Sequence, residues 1–279
     1  MGGSVLQASA VVVESMRPYD NQMGVMVVSD DDVSDALPVC DTPEEGDGLG
    51  EQGFKYAVRL VNVSRVYEMG SRSIVALKDV NLEVLPGEFV VVEGPSGSGK
   101  TTLLNIIGAI DHATSGRVLL MDVPIQDYDE TFRATFRLTN TGFIFQSYNL
   151  ISTFTALENV MFPMQLGEAP LPLIQERARE LLDRVGLSDR SDHLPWQLSS
   201  GEQQRVAVAR ALANDPPMIL ADEPTANLDN ESAEIVRSLL REIHDEGRTV
   251  IVMTHDPAII KTSVARHFRM RHGELSEIV

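Results

Sequence analysis

The spacing Gly94-x-x-x-x-Gly99-Lys100-Thr101, inside the run Gly94-Pro95-Ser96-Gly97-Ser98-Gly99-Lys100-Thr101-Thr102, is that of a loop that wraps phosphate. Glycines let backbone N–H groups curl around the α- and β-phosphates of a nucleotide at a helix N-terminus. The lysine reaches the β- and γ-phosphates, and the threonine hydroxyl is a ligand for Mg²⁺. Such a match arises by chance in roughly one chain of this length per hundred. A second pair of groups fits the same chemistry: Asp222 and Glu223 end the apolar run Met218-Ile219-Leu220-Ala221. Beside a phosphate loop, the first carboxylate suits the shell of Mg²⁺ and the second is placed to polarise an attacking water.

These groups need a scaffold, and the flanking sequence supplies one. FVVVEG, before Gly94, is a short β-branched run of the kind buried on both faces of a parallel sheet, and TTLLNIIGAI after it reads as a helix. Upstream, YAVRLVNVSRVY and SIVALKDVNLEVL alternate as strands, the latter ending at the turn Pro86-Gly87-Glu88. From about 130 to 215 the pattern turns helical: ETFRATFRLT, ALENVMFPMQL and LIQERARELLDRVGL carry apolar residues at three- and four-residue spacing, the last closed by Gly186. Beyond 218, strand and helix alternate again through MILADE, ESAEIVRSLLREIHDEG, TVIVMTH and PAIIKTSVA to a final FRMRHGELSEIV hairpin. The expected fold is α/β, a parallel sheet covered by helices with a helical insertion between its halves. Met161, Met164, Met218, Met253 and Met270 are expected to fill the core rather than bind a ligand.

Composition excludes several other classes. The 279 residues carry a net charge of −18. Residues 1–56 hold eleven acids against two bases, Arg17 and Lys55, for a net of −9, half the total in one fifth of the chain. Nonspecific nucleic-acid binding is therefore not expected, since phosphate contacts need clustered Lys and Arg. The stretch 42–50, TPEEGDGLG, reads as an extended linker, and residues 1–55 are expected to be a disordered acidic extension. The lone cysteine, Cys40, rules out an intrachain disulfide, and no Cys/His cluster has zinc spacing. Apolar runs at Val11-Val12-Val13 and Val90-Val91-Val92 are broken by Glu14 and Glu93, well short of the roughly 18 residues that span a bilayer. The start, MGGSVLQASAVVVES, has no basic leader, so neither a signal nor a transit peptide is expected.

With these residues in view, positions 58–278 resemble the ATP-binding subunit of an ABC transporter, because six motifs fall in that family's order. Besides the phosphate loop and Asp222-Glu223, they are Gln146 in GFIFQSYNL, the signature-like Leu198-Ser199-Ser200-Gly201-Glu202-Gln203-Gln204-Arg205, the D-loop-like Ala226-Asn227-Leu228-Asp229, and His255 after TVIVMT. Ser200 stands where the family's signature commonly has a glycine. The resemblance implies an antiparallel β subdomain and an inserted helical subdomain, about 130–215, within an ATP-binding domain of residues 56–279. Tyr67 would stack on adenine. Glu223, His255, Gln146 and Lys100 would be catalytic, Thr101, Gln146 and Asp222 would serve Mg²⁺, and Ser199, Ser200, Gly201, Glu202 and Asp229 would complete the ATP site of a second cassette. The implied partners are another copy of the chain, in a head-to-tail pair enclosing two ATPs, and an integral membrane permease subunit. The implied location is the cytoplasmic face of the cell membrane. The stretches around these motifs look most like the macrolide-export and lipoprotein-release branch, which implies export or mechanical release of a lipophilic or peptide-like substrate. The competing reading is a soluble ATPase of the same family acting in regulation, DNA repair or translation. The 52 residues between Gln146 and Ser199 leave room for a helical subdomain but not for a long coiled coil.

Overall fold

The computed structural model describes residues 53–70, 72–167, 169–261 and 265–278. The two alternating stretches form long antiparallel strands, β1 (Val58–Met69) and β2 (Arg72–Val84), with Val58, Leu60, Val63, Leu77, Val80, Leu82 and Val84 turned inward and Met69, Ile74 and Val75 at the exposed end. The β-branched run is β3 (Phe89–Glu93), and the phosphate-loop sequence leads from it into α1 (Lys100–Ile107). β4 (Ser115–Leu120) pairs antiparallel with β1 and turns at Met121-Asp122 into β5 (Val123–Pro124), giving a four-stranded sheet ordered β2-β1-β4-β5. Both turn residues have positive φ, 51° and 62°, the conformation that a two-residue hairpin demands.

Then come α2 (Glu130–Asn140), β6 (Thr141–Ile144), α3 (Ala156–Gln165), α4 (Leu171–Arg184) and α5 (Ser200–Ala211). The chain closes with β7 (Met218–Asp222), α6 (Asn230–Asp245), β8 (Thr249–Thr254), the single turn α7 (Pro257–Ile260), and the hairpin β9 (Ala265–Arg271) and β10 (Glu274–Ile278). The second sheet runs β10-β9-β3-β8-β7-β6, parallel throughout except for the β9–β10 hairpin at its edge. The α/β class read from the sequence is the class observed.

Burial on both faces explains why the interiors of the central strands are apolar. On β3, Phe89 and Val91 face a core shared with α3, α4, α5 and α6, while Val90 and Val92 face a second core shared with α1 and the antiparallel sheet. β7 and β8 divide in the same way: Ile219, Ala221, Val250 and Val252 lie on the first side, and Met218, Leu220, Ile251 and Met253 on the second. The five methionines expected in the core are all buried there.

Two local expectations change. The helix-rich stretch contains β6, whose four residues, TGFI, are too few to show a period. It runs parallel to β7, and Gly142 lets α5 press against it: a Cβ there would lie 2.2 Å from the Ala211 carbonyl oxygen. Within PAIIKTSVA, the described residues form one helical turn, opened by Pro257 and capped by the Asp256 carboxylate. Residues 1–52, which carry most of the expected acidic extension, lie outside the described residues.

Candidate nucleotide-binding and hydrolytic site

Four neighbouring strands end on the same side of the parallel sheet, and each is followed by one of the singled-out motifs: Gly94 after β3, His255 after β8, Asp222-Glu223 at the end of β7 and Gln146 after β6. Register aligns the first three, with Glu93 opposite Thr254 and Asp222 opposite Met253. Ligands of open α/β sheets bind at such carboxyl ends.

The loop from Gly94 to Gly99 is shaped by what lies behind it. A Cβ at Gly94 would sit 2.4 Å from the Met270 carbonyl oxygen, and one at Gly99, where φ is +111°, would sit 2.5 Å from the Ala76 carbonyl oxygen. The Gly273 N–H donates to the Ser98 carbonyl at 2.9 Å, so the β9–β10 turn backs the loop. The Ser98 hydroxyl is buried and has no hydrogen-bond partner among the described residues. Lys100, also buried, donates its Nζ to the carbonyls of Gly94 (2.6 Å) and Pro95 (3.2 Å). Gly99 precedes the first turn of α1, whose N-terminal N–H groups are not used within the helix.

The carboxylates meet this loop directly. The Thr101 hydroxyl donates to Asp222 Oδ2 at 2.8 Å, and Glu223 Oε1 lies 3.5 Å from Lys100 Nζ. Burial pushes the Asp222 carboxyl above its usual range. Thr101 and Lys100 act against that shift, while the Glu223 charge adds to it. Glu223 is held with φ +47°, unusual for a residue with a side chain, by donation of its N–H to the Met253 carbonyl at 2.8 Å. Its Oε2 lies 2.9 Å from His255 Nδ1 and accepts the His255 backbone N–H at 3.2 Å. A carboxylate only accepts, so in this contact the histidine ring is the donor when Nδ1 carries a proton. Lys100, Thr101, Asp222, Glu223 and His255 thus form one cluster, assembled from positions up to 155 apart in the chain.

The other expected residues lie in two further groups and one loop. Gln146 is exposed and is joined to the D-loop-like segment through its backbone, its carbonyl accepting from Asn227 Nδ2 at 3.1 Å. Ser199 caps α5: its hydroxyl accepts the Glu202 N–H at 3.2 Å while Glu202 accepts the Ser199 N–H at 2.8 Å, and these bonds, with Arg190, hold the Glu202 carboxyl below its usual range. Ser200 is the first residue of α5. Gly201 is buried against Ser232, and Asp229 caps α6 by accepting from the Ser232 N–H (2.9 Å) and hydroxyl (2.8 Å), which hold its carboxyl low. Tyr67 belongs to the antiparallel sheet, its hydroxyl donated to Asp111 at 2.6 Å.

Sequence reasoning passed over the groups that hold these loops. Asp256 accepts from the Thr225 hydroxyl and from Arg237, both at 2.8 Å, and so ties the loop after Glu223 to the loop of His255. Arg210, whose burial pushes its pKa down to about 10, donates to the carbonyls of Tyr148 (2.7 Å) and Asn149 in the Gln146 loop. Asp256 sits beside an expected site histidine, a signal that could have been read. Arg210, in the last turn of α5, offers none.

This geometry agrees with three comparisons. The ABC transporter family matches residues 77–226. An ABC transporter ATP-binding protein of Methanocaldococcus jannaschii is 47% identical over 218 residues, covering 78% of this chain and 97% of that protein. The macrolide export ATP-binding/permease protein MacB of Salmonella typhimurium is 48% identical over 218 residues, covering 78% of this chain and 34% of that longer protein. Among solved structures, the dimeric ATP-binding cassette MJ0796 of Methanocaldococcus jannaschii, in a post-hydrolysis state bound to ADP and Pi, is similar with a TM-score of 0.75 and 44% identity, over 79% of this chain and 97% of that one. A family match over more than half the chain, joined to a relative 47% identical along 97% of its length, establishes that the chain belongs to the ABC transporter family.

Proposed function

We propose that this chain binds and hydrolyses ATP as the motor subunit of an ABC transporter, with residues 56–279 as the ATP-binding domain, and that it drives an integral membrane permease. The observation that carries the reading is the cluster of Lys100, Thr101, Asp222, Glu223 and His255 at the mouth of a glycine loop that opens a helix. The loop from Gly94 to Thr102, with Pro95, Ser96, Gly97 and the orphaned Ser98 hydroxyl, receives the triphosphate on backbone N–H groups, and Lys100 moves its donors from the loop carbonyls to the β- and γ-phosphates. Glu223 accepts the proton of the attacking water, and the His255 ring orients that water against the γ-phosphate. Gln146, after β6, serves Mg²⁺ and the attacking water from its loop. Tyr67 stacks on adenine, a contact that any base ring tolerates.

The residues present fit Mg²⁺. Thr101 and Asp222 offer hard oxygen donors held 2.8 Å apart, and Gln146 offers a third from its loop. Among the described residues no three His, Cys, Asp or Glu side chains form a metal cage, so phosphates and water would supply the remaining ligands. When bound, the ion neutralises charge that develops on the β- and γ-phosphates. Burial of Asp222, which disfavours its charged form here, is offset by that cation.

One chain carries one phosphate loop and one signature segment. We therefore infer a head-to-tail pair in which Ser199, Ser200, Gly201 and Glu202 of one copy, with Asp229, close over the triphosphate bound by the other. The γ-phosphate bridges the pair, and its hydrolysis releases the bridge. Among the described residues no helix is long and apolar enough to cross a membrane. We propose that the chain sits at the cytoplasmic membrane face through its permease, and that it serves export or mechanical release, from similarity to MacB. Purification of the full chain from detergent-solubilised membranes tests this. A co-purifying multispan protein and ATP hydrolysis by the complex are expected. A chain that hydrolyses ATP but never associates with a membrane protein would refute the transporter role and leave the ATPase.

A further inference from the structure

Tyr67 does not stand alone on its strand. Its hydroxyl donates to Asp111 Oδ2 at 2.6 Å. The same carboxylate accepts Arg65 Nε on Oδ2 at 3.1 Å and Arg65 NH2 on Oδ1 at 2.7 Å, and Oδ1 also accepts the His112 N–H at 2.7 Å. The Arg65 guanidinium carbon lies 4.5 Å from the centroid of the Tyr67 ring, so a cation covers one face of the phenol. Behind Asp111, Arg133 is almost wholly buried and donates NH2 to the carbonyls of Ala109 (2.7 Å) and Asp111 (2.9 Å). Arg137 donates to Ala109 at 2.7 Å. The segment that carries Asp111 is therefore anchored by α2, and Asp111 in turn anchors the tyrosine.

A tyrosine used as a stacking platform has two soft torsions and two faces. The structure restricts both: the bond at the hydroxyl fixes where the ring ends, and Arg65 occupies one face. We propose that Asp111 and Arg65 are positioning residues for nucleotide recognition, holding the Tyr67 ring in the orientation in which the face opposite Arg65 receives the base. The proposal rests on Tyr67 as the base-stacking residue. An ordered platform saves the cost of immobilising a side chain at the moment of binding, which corresponds to about 2- to 13-fold in affinity.

The test is equilibrium binding of the full chain to two probes in the presence of Mg²⁺: a nonhydrolysable ATP analogue, and inorganic tripolyphosphate, which has no base. Tyr67→Phe keeps the ring and removes its anchor, and Asp111→Ala removes the anchor's acceptor. Each is expected to weaken the ATP analogue by about 2- to 13-fold, the double variant no more than the larger single, with tripolyphosphate binding as in the parent. Tyr67→Ala, which removes the platform itself, is expected to weaken the analogue by about 5- to 150-fold. If Tyr67→Ala has its effect but Tyr67→Phe and Asp111→Ala bind the analogue like the parent, the positioning role is overturned. It is equally overturned if tripolyphosphate is weakened as much as the analogue, because Asp111 then supports the phosphate loop as a whole. If Tyr67→Ala binds the analogue like the parent, the stacking assignment itself falls. Tyr67→Phe decides the matter should Asp111→Ala fail to fold.

Discussion

Replacing Gly201 with alanine pits helix propensity against packing, and the structure decides the sign. Gly201 is the second residue of α5, where alanine in an isolated helix would be favoured by up to about 1 kcal/mol. In the fold, its Cβ would lie 2.3 Å from Ser232 Oγ and 2.7 Å from Ser232 Cβ. Carbon atoms pack no closer than about 3.5 Å. Turning the Ser232 hydroxyl aside relieves only the first contact, because the Ser232 Cβ moves with the backbone of α6. The N-termini of α5 and α6 must therefore separate, an overpacking cost of about 1–3 kcal/mol. For a domain of this size that lowers the melting temperature by about 2–12 °C. Thermal and urea unfolding of Gly201→Ala, Ser232→Gly and the double variant measures it. The double variant is expected to lose less stability than the two singles added together, since the contact that costs energy is gone. ATP hydrolysis should fall with stability in Gly201→Ala, because Ser199 and Ser200 lead directly into the displaced turn. A melting temperature equal to or above the parent's would refute the reasoning, for it would mean that α5 and α6 do not meet at Gly201.

Other perturbations act on single contacts. Glu223→Gln keeps the shape beside His255 but cannot accept the water's proton; hydrolysis should fall by about 10²–10⁴-fold while ATP-loaded dimer accumulates on size exclusion, and a parent rate would remove Glu223 from its role. Because burial raises the Asp222 pKa in the folded chain, the folded state keeps that proton to higher pH than the unfolded one does. Stability therefore drops as pH rises from the ordinary carboxylate value of 3.8 through the raised one, and the loss is complete above it. In EDTA, Asp222→Asn should lack this component in a series of urea midpoints against pH, and a slope identical to the parent's would contradict it. Arg210→Lys cannot serve the two carbonyls of Tyr148 and Asn149 with one ammonium. It should cost about 1–3 kcal/mol in urea unfolding, with Arg210→Met no better. Equal stability of the lysine variant and the parent would show that the fork is not used.

The parts of the site written in short contiguous runs could be read directly. Gly94 to Thr102 declares its chemistry because glycine, lysine and threonine are each needed at a fixed spacing, and Asp222-Glu223 stands out because two carboxylates end an otherwise apolar strand. Gly142 and β6 were hidden for the opposite reason: four residues carry no measurable period, and the need for glycine arises from the Ala211 carbonyl, 69 positions later. The supports for the loop glycines were hidden in the same way. Nothing in the sequence of Met270 or Ala76 announces that their carbonyls press on Gly94 and Gly99. Tyr67 was legible only through the family resemblance, and its tie to Asp111 appeared only after β1 and the segment following α1 were brought together.

How the signature helix is joined to the rest of its own chain bears on how a second copy would act on the reaction. The strands β3, β8, β7 and β6 lead to the groups proposed to react, while α5 carries no member of their cluster. Yet α5 is tied to three of the motif loops. Gln204, almost fully buried, donates to the Pro224 carbonyl at 2.8 Å, one residue beyond Glu223. Arg210 donates to the carbonyls of Tyr148 and Asn149, two and three residues beyond Gln146. Gly201 packs on Ser232, which Asp229 caps. Each tie is short and two of them use buried or nearly buried donors, so α5 cannot shift without disturbing a hydrogen bond next to Glu223 or Gln146. In the proposed head-to-tail pair, a triphosphate held by a partner against Ser199 at the head of α5 would pull on that helix, and the pull would arrive in this chain at the loops of Glu223 and Gln146. Under that proposal, coupling between the two sites needs no additional element, because one helix would be the lid of the neighbouring site and the brace of its own.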